Sequence, residues 1–158
     1  MRHQLTRTLA WTPDQLFSLV GDVESYPQFV PWMTALRTWN KREVSPGVTA
    51  LDAEAQVGFA FLKEKFATRV TRDANTRHIR IELLYGPFKH LVSNWRFEPD
   101  PAGARLLFDI DFAFKSRLLE ALLTANFNTA VNRLIACFED RARALYGAAA
   151  APELKSIP

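Results

Sequence analysis

Leu91-Val92-Ser93-Asn94-Trp95-Arg96-Phe97-Glu98, a break at Asp100-Pro101-Ala102-Gly103, and then Arg105-Leu106-Leu107-Phe108-Asp109-Ile110-Asp111-Phe112-Ala113-Phe114-Lys115 carry the pattern on which the fold turns. Side chains alternate faces along a strand, so Leu91, Ser93, Trp95 and Phe97 share one face while His90, Asn94, Arg96 and Glu98 take the other. Leu106, Phe108, Ile110, Phe112 and Phe114 repeat the pattern, opposed by Arg105, Asp109, Asp111 and Lys115. Two strands with one dry and one wet face, joined by a Pro/Gly turn, form an antiparallel hairpin.

The same grammar extends back to Thr34. Ser45-Pro46-Gly47, Asp73-Ala74-Asn75 and Gly86-Pro87 are turn signals, and Gly58 marks another turn or bend. Six strands fit between these marks as a meander. Ahead of them, residues 3–10 read as a short strand and Pro13 to about Val20 as a helix. Thr12 suits its N-cap, Pro13 its first position and Gln15 a capping box, with Trp11 and Leu16 as a hydrophobic staple. A second helical turn around Asp22 to Ser25 is expected to stop before Pro27, whose ring disfavours helical geometry at Tyr26. From Leu118 to Tyr146 a long helix places Leu119, Leu123, Phe127, Ala130, Leu134, Phe138 and Leu145 on one stripe, and Gly147 ends it. The expected class is α+β: a curved seven-stranded antiparallel sheet around one long helix, with two short helices after the first strand. Residues 1–147 form one domain, and residues 148–158 are expected to be a disordered tail.

The chain has 158 residues, 48% of them apolar and 23% charged, the composition of an ordinary folded domain. A net charge of +3 is too slight for the basic stripe that phosphate-backbone binding uses. No apolar run reaches the ~20 residues a spanning helix needs, and the start carries no signal-peptide core, so the expected compartment is the cytoplasm. The single cysteine, Cys137, excludes an internal disulfide and fits an inert buried thiol. His3, His78 and His90 stand in separate segments without metal-ligand spacing. Asp109 and Asp111 share a strand face with Arg105 and Lys115 and read as solvated charges. No glycine-rich phosphate loop occurs. Against this scarcity of catalytic hardware stand twelve Phe, four Trp and three Tyr. The space between sheet and helix is therefore a candidate ligand cavity, and the stiff, aromatic Tyr26 to Met33 segment reads either as a core plug or as a lid over it.

Three stretches carry a family resemblance over residues 3–146: Val23-Glu24-Ser25-Tyr26-Pro27-Gln28-Phe29-Val30-Pro31-Trp32, Gly86-Pro87-Phe88-Lys89-His90-Leu91 with Trp95 and Phe97, and Phe108-Asp109-Ile110-Asp111-Phe112-Ala113-Phe114-Lys115-Ser116. The sequence resembles the coenzyme-Q-binding START-type proteins, within the superfamily of polyketide-cyclase-like and lipid-transfer helix-grip domains, whose bacterial branch includes ribosome-association toxins. Many members carry cysteine where this chain has Met33. The resemblance implies a non-enzymatic cavity that holds ubiquinone or a related isoprenoid lipid as bound ligand, with no cofactor, and supports its delivery to respiratory complexes. The aromatic rings of the Tyr26 to Met33 segment, with scattered Lys and Arg, add the expectation of transient contact with the inner-membrane surface. The gate residues are then Tyr26, Phe29, Pro31 and Trp32. The cavity residues are Phe66, Leu91, Trp95, Phe112, Leu123, Phe127 and Leu134. The alternative within the same resemblance is a ribosome partner met through a basic patch of Lys63, Lys65, Arg69, Arg72, Arg77 and Arg80. An aromatase or cyclase would need polar groups inside the cavity, where the inward faces offer mainly Ser93 and Thr68.

Overall fold

The computed structural model describes residues 1–59 and 62–147. Strand β1 (Arg2–Leu9) leads into helix α1 (Pro13–Gly21) and a 3₁₀ turn (Val23–Gln28). Then come β2 (Met33–Ser45), β3 (Val48–Phe59), β4 (Leu62–Asp73), β5 (His78–Tyr85), β6 (Phe88–Asp100), β7 (Gly103–Phe114) and the closing helix α2 (Arg117–Tyr146). The strands make one sheet in the order β1-β7-β6-β5-β4-β3-β2, and each pair is antiparallel. This is the expected helix-grip architecture. The chain enters on one edge as β1, crosses by α1 and the 3₁₀ turn to the other edge, and meanders back until β7 closes against β1.

Local chemistry fixes the helix ends. The Thr12 hydroxyl accepts from the Gln15 amide at 3.1 Å while the Gln15 side chain accepts from the Thr12 amide at 3.0 Å, a complete capping box. Ser116 caps α2 by accepting from the Leu119 amide. The 3₁₀ turn runs through Pro27 to Gln28 instead of stopping before it. Its bonds join Ser25 N to Asp22 O and Phe29 N to Tyr26 O, so the N–H that Pro27 lacks is never required. Gly58 likewise sits inside β3, paired with Lys63, and the reversal falls beyond it. The expectation of a disordered tail at 148–158 lies outside the described residues.

The dry faces meet as the alternation requires. Leu5, Phe108, Trp95 and Ile79 are register partners across β1, β7, β6 and β5, and His3, Ile110, Ser93 and Ile81 form the next row. The convex side is largely wet, but Asp52, Ala50, Ala67 and Asn94 are buried there, the Asn94 amide group held by His78 at 2.8 Å and Asp109 at 3.0 Å. On α2 the sequence stripe is one position out at its end. Leu145 is 52% exposed, whereas Ile135, Phe138 and Ala142 are buried. The contact with α1 sets this rotation, because the Tyr146 hydroxyl donates to Gln15 O and turns Leu145 outward. Trp11 Nε1 donates to Gly147 O at 3.0 Å, so the start of α1 and the end of α2 are tied together.

One glycine is demanded by this packing. Gly86, between β5 and β6, has φ of 145°, and a Cβ there would lie 2.4 Å from Phe66 Cβ on β4. Gly86→Ala therefore meets both backbone strain and a backbone-level clash. We expect a loss on the order of 2–3 kcal/mol, read as a lower urea midpoint at unchanged slope.

Candidate functional site

The residues expected to line the cavity fall into two aromatic groups on the concave face. In the first, α2 inserts Phe138 between the 3₁₀ segment and the sheet. Its ring lies 5.4 Å from Tyr26, 5.7 Å from Phe29 and 5.7 Å from Trp95, all edge to face or nearly so. Leu134 packs against the same cluster. Trp95 in turn lies 4.4 Å from Phe108. The Tyr26 hydroxyl donates to Val20 O, and burial, with the nearby Asp22 charge, pushes its phenol far above the usual range, so it stays a proton donor.

Of the two expectations for this segment, the packing matches the core plug. The rings of Tyr26 and Phe29 point into the core, and Val30 between them and Trp32 has no exposed surface. Pro31 is exposed and touches neither group, while Trp32 is half-buried with the Arg133 guanidinium 5.9 Å from its ring centre. Arg141 reinforces the arrangement, lying 5.2 Å over Phe29 and donating to the Gln28 side chain at 3.0 Å. The segment is a plug strapped to α2, because its apolar rings gain more by joining the core than by facing water.

The second group gathers Phe66, Leu91, Phe112, Leu123 and Phe127 at the other end of the sheet. Phe112 and Phe127 stack at 5.8 Å, and Phe88 joins Phe66 at 5.4 Å and Phe114 at 4.5 Å. Phe114 was legible in the alternation, whereas Phe88 shares the parity of wet-face His90 and joins this group across the register shift between Phe88 and His90. Between the two groups the sheet narrows its side chains to Ala53, Ala55, Thr68 and Ser93, all buried. The indole N–H of Trp95 is buried without a hydrogen-bond partner. His3 faces inward from β1 and stacks on Phe127 at 3.7 Å. A cleft of about 250 Å³ opens there between β1 and α2, and Phe127 is the member of the expected set that lines it.

The two halves of α2 are seated differently. Ile135, Phe138 and Ala142 are buried in the rear half, but in the front half only Phe127 is buried, with Leu119, Leu123 and Val131 partly so and Leu118 62% exposed. The helix is anchored at its rear and rests loosely over the aromatic end of the sheet.

Acidic and basic groups lie elsewhere. Asp109 accepts from Asn94 and Asp111 from His90 on the convex face, so the two carboxylates do not act as a pair. Burial raises the Cys137 thiol above its usual range. The expected basic patch is divided: Arg72 turns to the concave side and donates to Gly21 O, Arg69, Arg77 and Arg80 are paired with Asp52, Asp14 and Glu82, and Lys63 and Lys65 are exposed on β4. Among the described residues no group of three or more His, Cys, Asp or Glu is placed to hold a metal.

The model of the polyketide cyclase / dehydrase and lipid transport family matches residues 9–139. The ribosome association toxin RatA of Rickettsia prowazekii is 34% identical over 143 residues, covering 89% of this chain and 94% of that protein. The mitochondrial coenzyme Q-binding protein COQ10 homolog B of Xenopus laevis is 30% identical over 147 residues, covering 90% of this chain and 58% of its own. In solved structures, the 18 kDa protein CC1736 of Caulobacter crescentus shares 59% identity at a TM-score of 0.79, covering 94% of this chain and 99% of that one. A Streptomyces aromatase/cyclase at 19% identity and a TM-score of 0.73, covering 94% and 97%, shares the fold.

The unequal seating of α2 has a direct readout. Amide exchange at 135–142 is expected to be at least about tenfold slower than at 118–126, since opening the rear half must break the Phe138 cluster. Phe138→Ala should cost about 3–5 kcal/mol and erase that contrast, measured by urea unfolding and exchange mass spectrometry.

Proposed function

Because this chain belongs to the polyketide cyclase / dehydrase and lipid transport family, we propose that it is a non-enzymatic carrier of an isoprenoid quinone of the ubiquinone type. It holds the ligand between the concave sheet and α2 and supports its delivery to respiratory enzymes. The observation that carries this reading is the half-seated helix: an aromatic end of the sheet covered, but not clamped, by the front of α2. An isoprenoid tail gains about 0.8 kcal/mol per buried methylene-sized unit, so affinity needs no charged anchor. The polarity of the lining supports binding over cyclisation. The concave face offers the Thr68 and Ser93 hydroxyls, the Trp95 N–H and a single imidazole, that of His3, while Asp109 and Asp111 face outward. Residues 1–147 act as one domain in this reading.

We place the working protein in the cytoplasm, peripheral to the inner membrane. Membrane contact is assigned to the front of α2 in place of the Tyr26–Met33 segment. The β5–β6 turn touches this end, since Lys115 N donates to Pro87 O at 2.8 Å. Leu84, Tyr85, Leu118 and Leu122 are exposed large apolar residues there, flanked by exposed Lys89, Lys115 and Arg117. Apolar side chains beside cations suit an anionic bilayer surface.

A second reading, ribosome association, is favoured by the name of the Rickettsia relative. Organic extraction of protein purified from its own host separates the two. We expect an isoprenoid quinone in the extract and saturable ubiquinone binding by the stripped protein. A clean extract with no ubiquinone binding, together with co-sedimentation in ribosomal fractions, would replace the carrier reading with the second. Leu118→Ser/Leu122→Ser should slow quinone exchange with anionic liposomes several-fold at an unchanged melting temperature, whereas Phe29→Ser should lower the melting temperature.

A further inference from the structure

Strand β1 is an edge of the sheet: β7 pairs with it on one side and no strand of the sheet lies on the other. One pair fixes which of its main-chain groups face that free side. Met1 N donates to Phe112 O at 2.7 Å, and Phe112 N donates to Met1 O at 2.9 Å. Opposed residues of an antiparallel ladder alternate between bonded and non-bonded pairs, and the β1–β7 register runs from Arg2 to Leu9 without a shift. His3 and Leu5 therefore bond to β7, while Arg2, Gln4 and Thr6 turn their N–H and C=O groups outward.

The cleft of about 250 Å³ lies along this free side. Three consecutive residues, His3, Gln4 and Leu5, line it, although successive side chains of a strand point to opposite faces. A space that meets all three runs beside the edge of the strand. Its other wall is α2, which presents Phe127 and Val131 below and exposed Asn128 and Asn132 at the rim. The volume equals roughly eight waters at about 30 Å³ each, room for one large apolar side chain against Leu5, Phe108 and Val131. The Arg7 guanidinium donates to Asn132 Oδ1 at 2.8 Å and bridges the groove at its far end. An unpaired strand edge that faces a helix across an apolar groove is where an extended peptide adds as a further strand.

The charge of the walls selects among such peptides. β1 holds Arg2 and Arg7 and no carboxylate, and α2 has no Asp or Glu between residues 121 and 138. Asp109 and Asp111 of the neighbouring strand lie on the convex face, held by Asn94 and His90. A second copy of β1 would bring the same arginines to the edge, and like charges across strands oppose pairing.

We propose that the free edge of β1 and the facing side of α2 form a docking groove for an acidic, extended segment of a protein partner. The segment pairs with the outward groups of Arg2, Gln4 and Thr6, seats one apolar side chain in the cleft and sets carboxylates beside Arg2 and Arg7. This surface goes beyond the quinone reading and does not depend on it.

The experiment uses the full-length protein and fluorescein-labelled peptides Glu-Glu-Thr-X-Thr-Glu-Glu, with X Leu, Phe or Ala, read by anisotropy. The Leu or Phe peptide should bind saturably, and the Ala peptide and a Lys-Lys-Thr-Leu-Thr-Lys-Lys counterpart about tenfold more weakly or worse. Gln4→Pro removes the outward N–H and keeps the β7 bonds. It should therefore hold the melting temperature within about 3 °C while weakening the Leu peptide at least about tenfold. Asn128→Glu, a rim change on α2 that leaves β1 untouched, should weaken the same peptide about fivefold and favour the lysine peptide. In the free protein the Gln4 amide should exchange at least about tenfold faster than those of His3 and Leu5, and the Leu peptide should protect it. No saturable binding at millimolar Leu peptide, equal binding of acidic and lysine peptides, or binding that leaves the Gln4 amide unprotected overturns the groove. Protection of that amide by rising protein concentration without peptide assigns the edge to a second copy and overturns it too. None of these outcomes decides quinone binding, which the host extract and the ubiquinone titration test separately.

Discussion

Phe138 is the point at which three otherwise separate parts of the chain are joined. Its ring meets Tyr26 and Phe29 of the plug and Trp95 of the sheet, each within 6 Å. Without that wedge, α2 would have only its apolar rear face to hold it on the sheet, and the crossover from β1 to β2 would have no floor. Edge-to-face geometry adds about 0.5–1.5 kcal/mol to each pair beyond area burial, and it fixes the angle at which the helix lies. The Trp11 to Gly147 and Tyr146 to Gln15 bonds then lock the rear end.

Anchoring one end of a 30-residue helix leaves the other end with less to hold it. The front of α2 covers rings contributed by β4, β6 and β7, but most of its own side chains face solvent. In the carrier reading proposed above, stability and function divide along this one element: the rear completes the core, and the front parts from the sheet to admit the ligand. A container for a long apolar molecule needs that division, since a helix seated equally along its length would have to unfold the core to open.

The polar atoms inside follow the same economy. Thr68, Ser93, the Trp95 N–H and His3 Nε2 are buried polar features of the concave face, joined by the Arg72 guanidinium, which donates to Gly21 O. Other charges lie on the convex side and the rims, where Asp52 with Arg69, Glu98 with Arg105 and Glu54 with Arg37 are paired across strands. The Arg69 guanidinium beside Asp52 holds that carboxyl below the usual range, with Asn40 adding a second bond, so the pair fastens β3 to β4 without entering the cavity.

How much of this was legible beforehand can be traced residue by residue. Alternation in β6 and β7, the Pro/Gly turns and the Thr12–Gln15 capping box determined the elements and their antiparallel order, because those signals are local and of period two or 3.6. The apolar stripe of the closing helix already placed it on the dry face of the sheet, and the family resemblance added the expected ligand. What the chain could not reveal by itself was rotation and depth. Leu145 and Ala142 both fit a helical stripe within one position, and only the seat of Tyr146 on α1 decides which is buried. Tyr26 and Phe29 suit a lid or a plug equally by composition, and Phe138, more than a hundred residues later, decides for the plug. His3 looked like a strand-face histidine, which it is. Its orphaned nitrogen exists because β1 pairs with β7 and α2 lays Phe127 across it, a juxtaposition of three distant segments that no local pattern encodes.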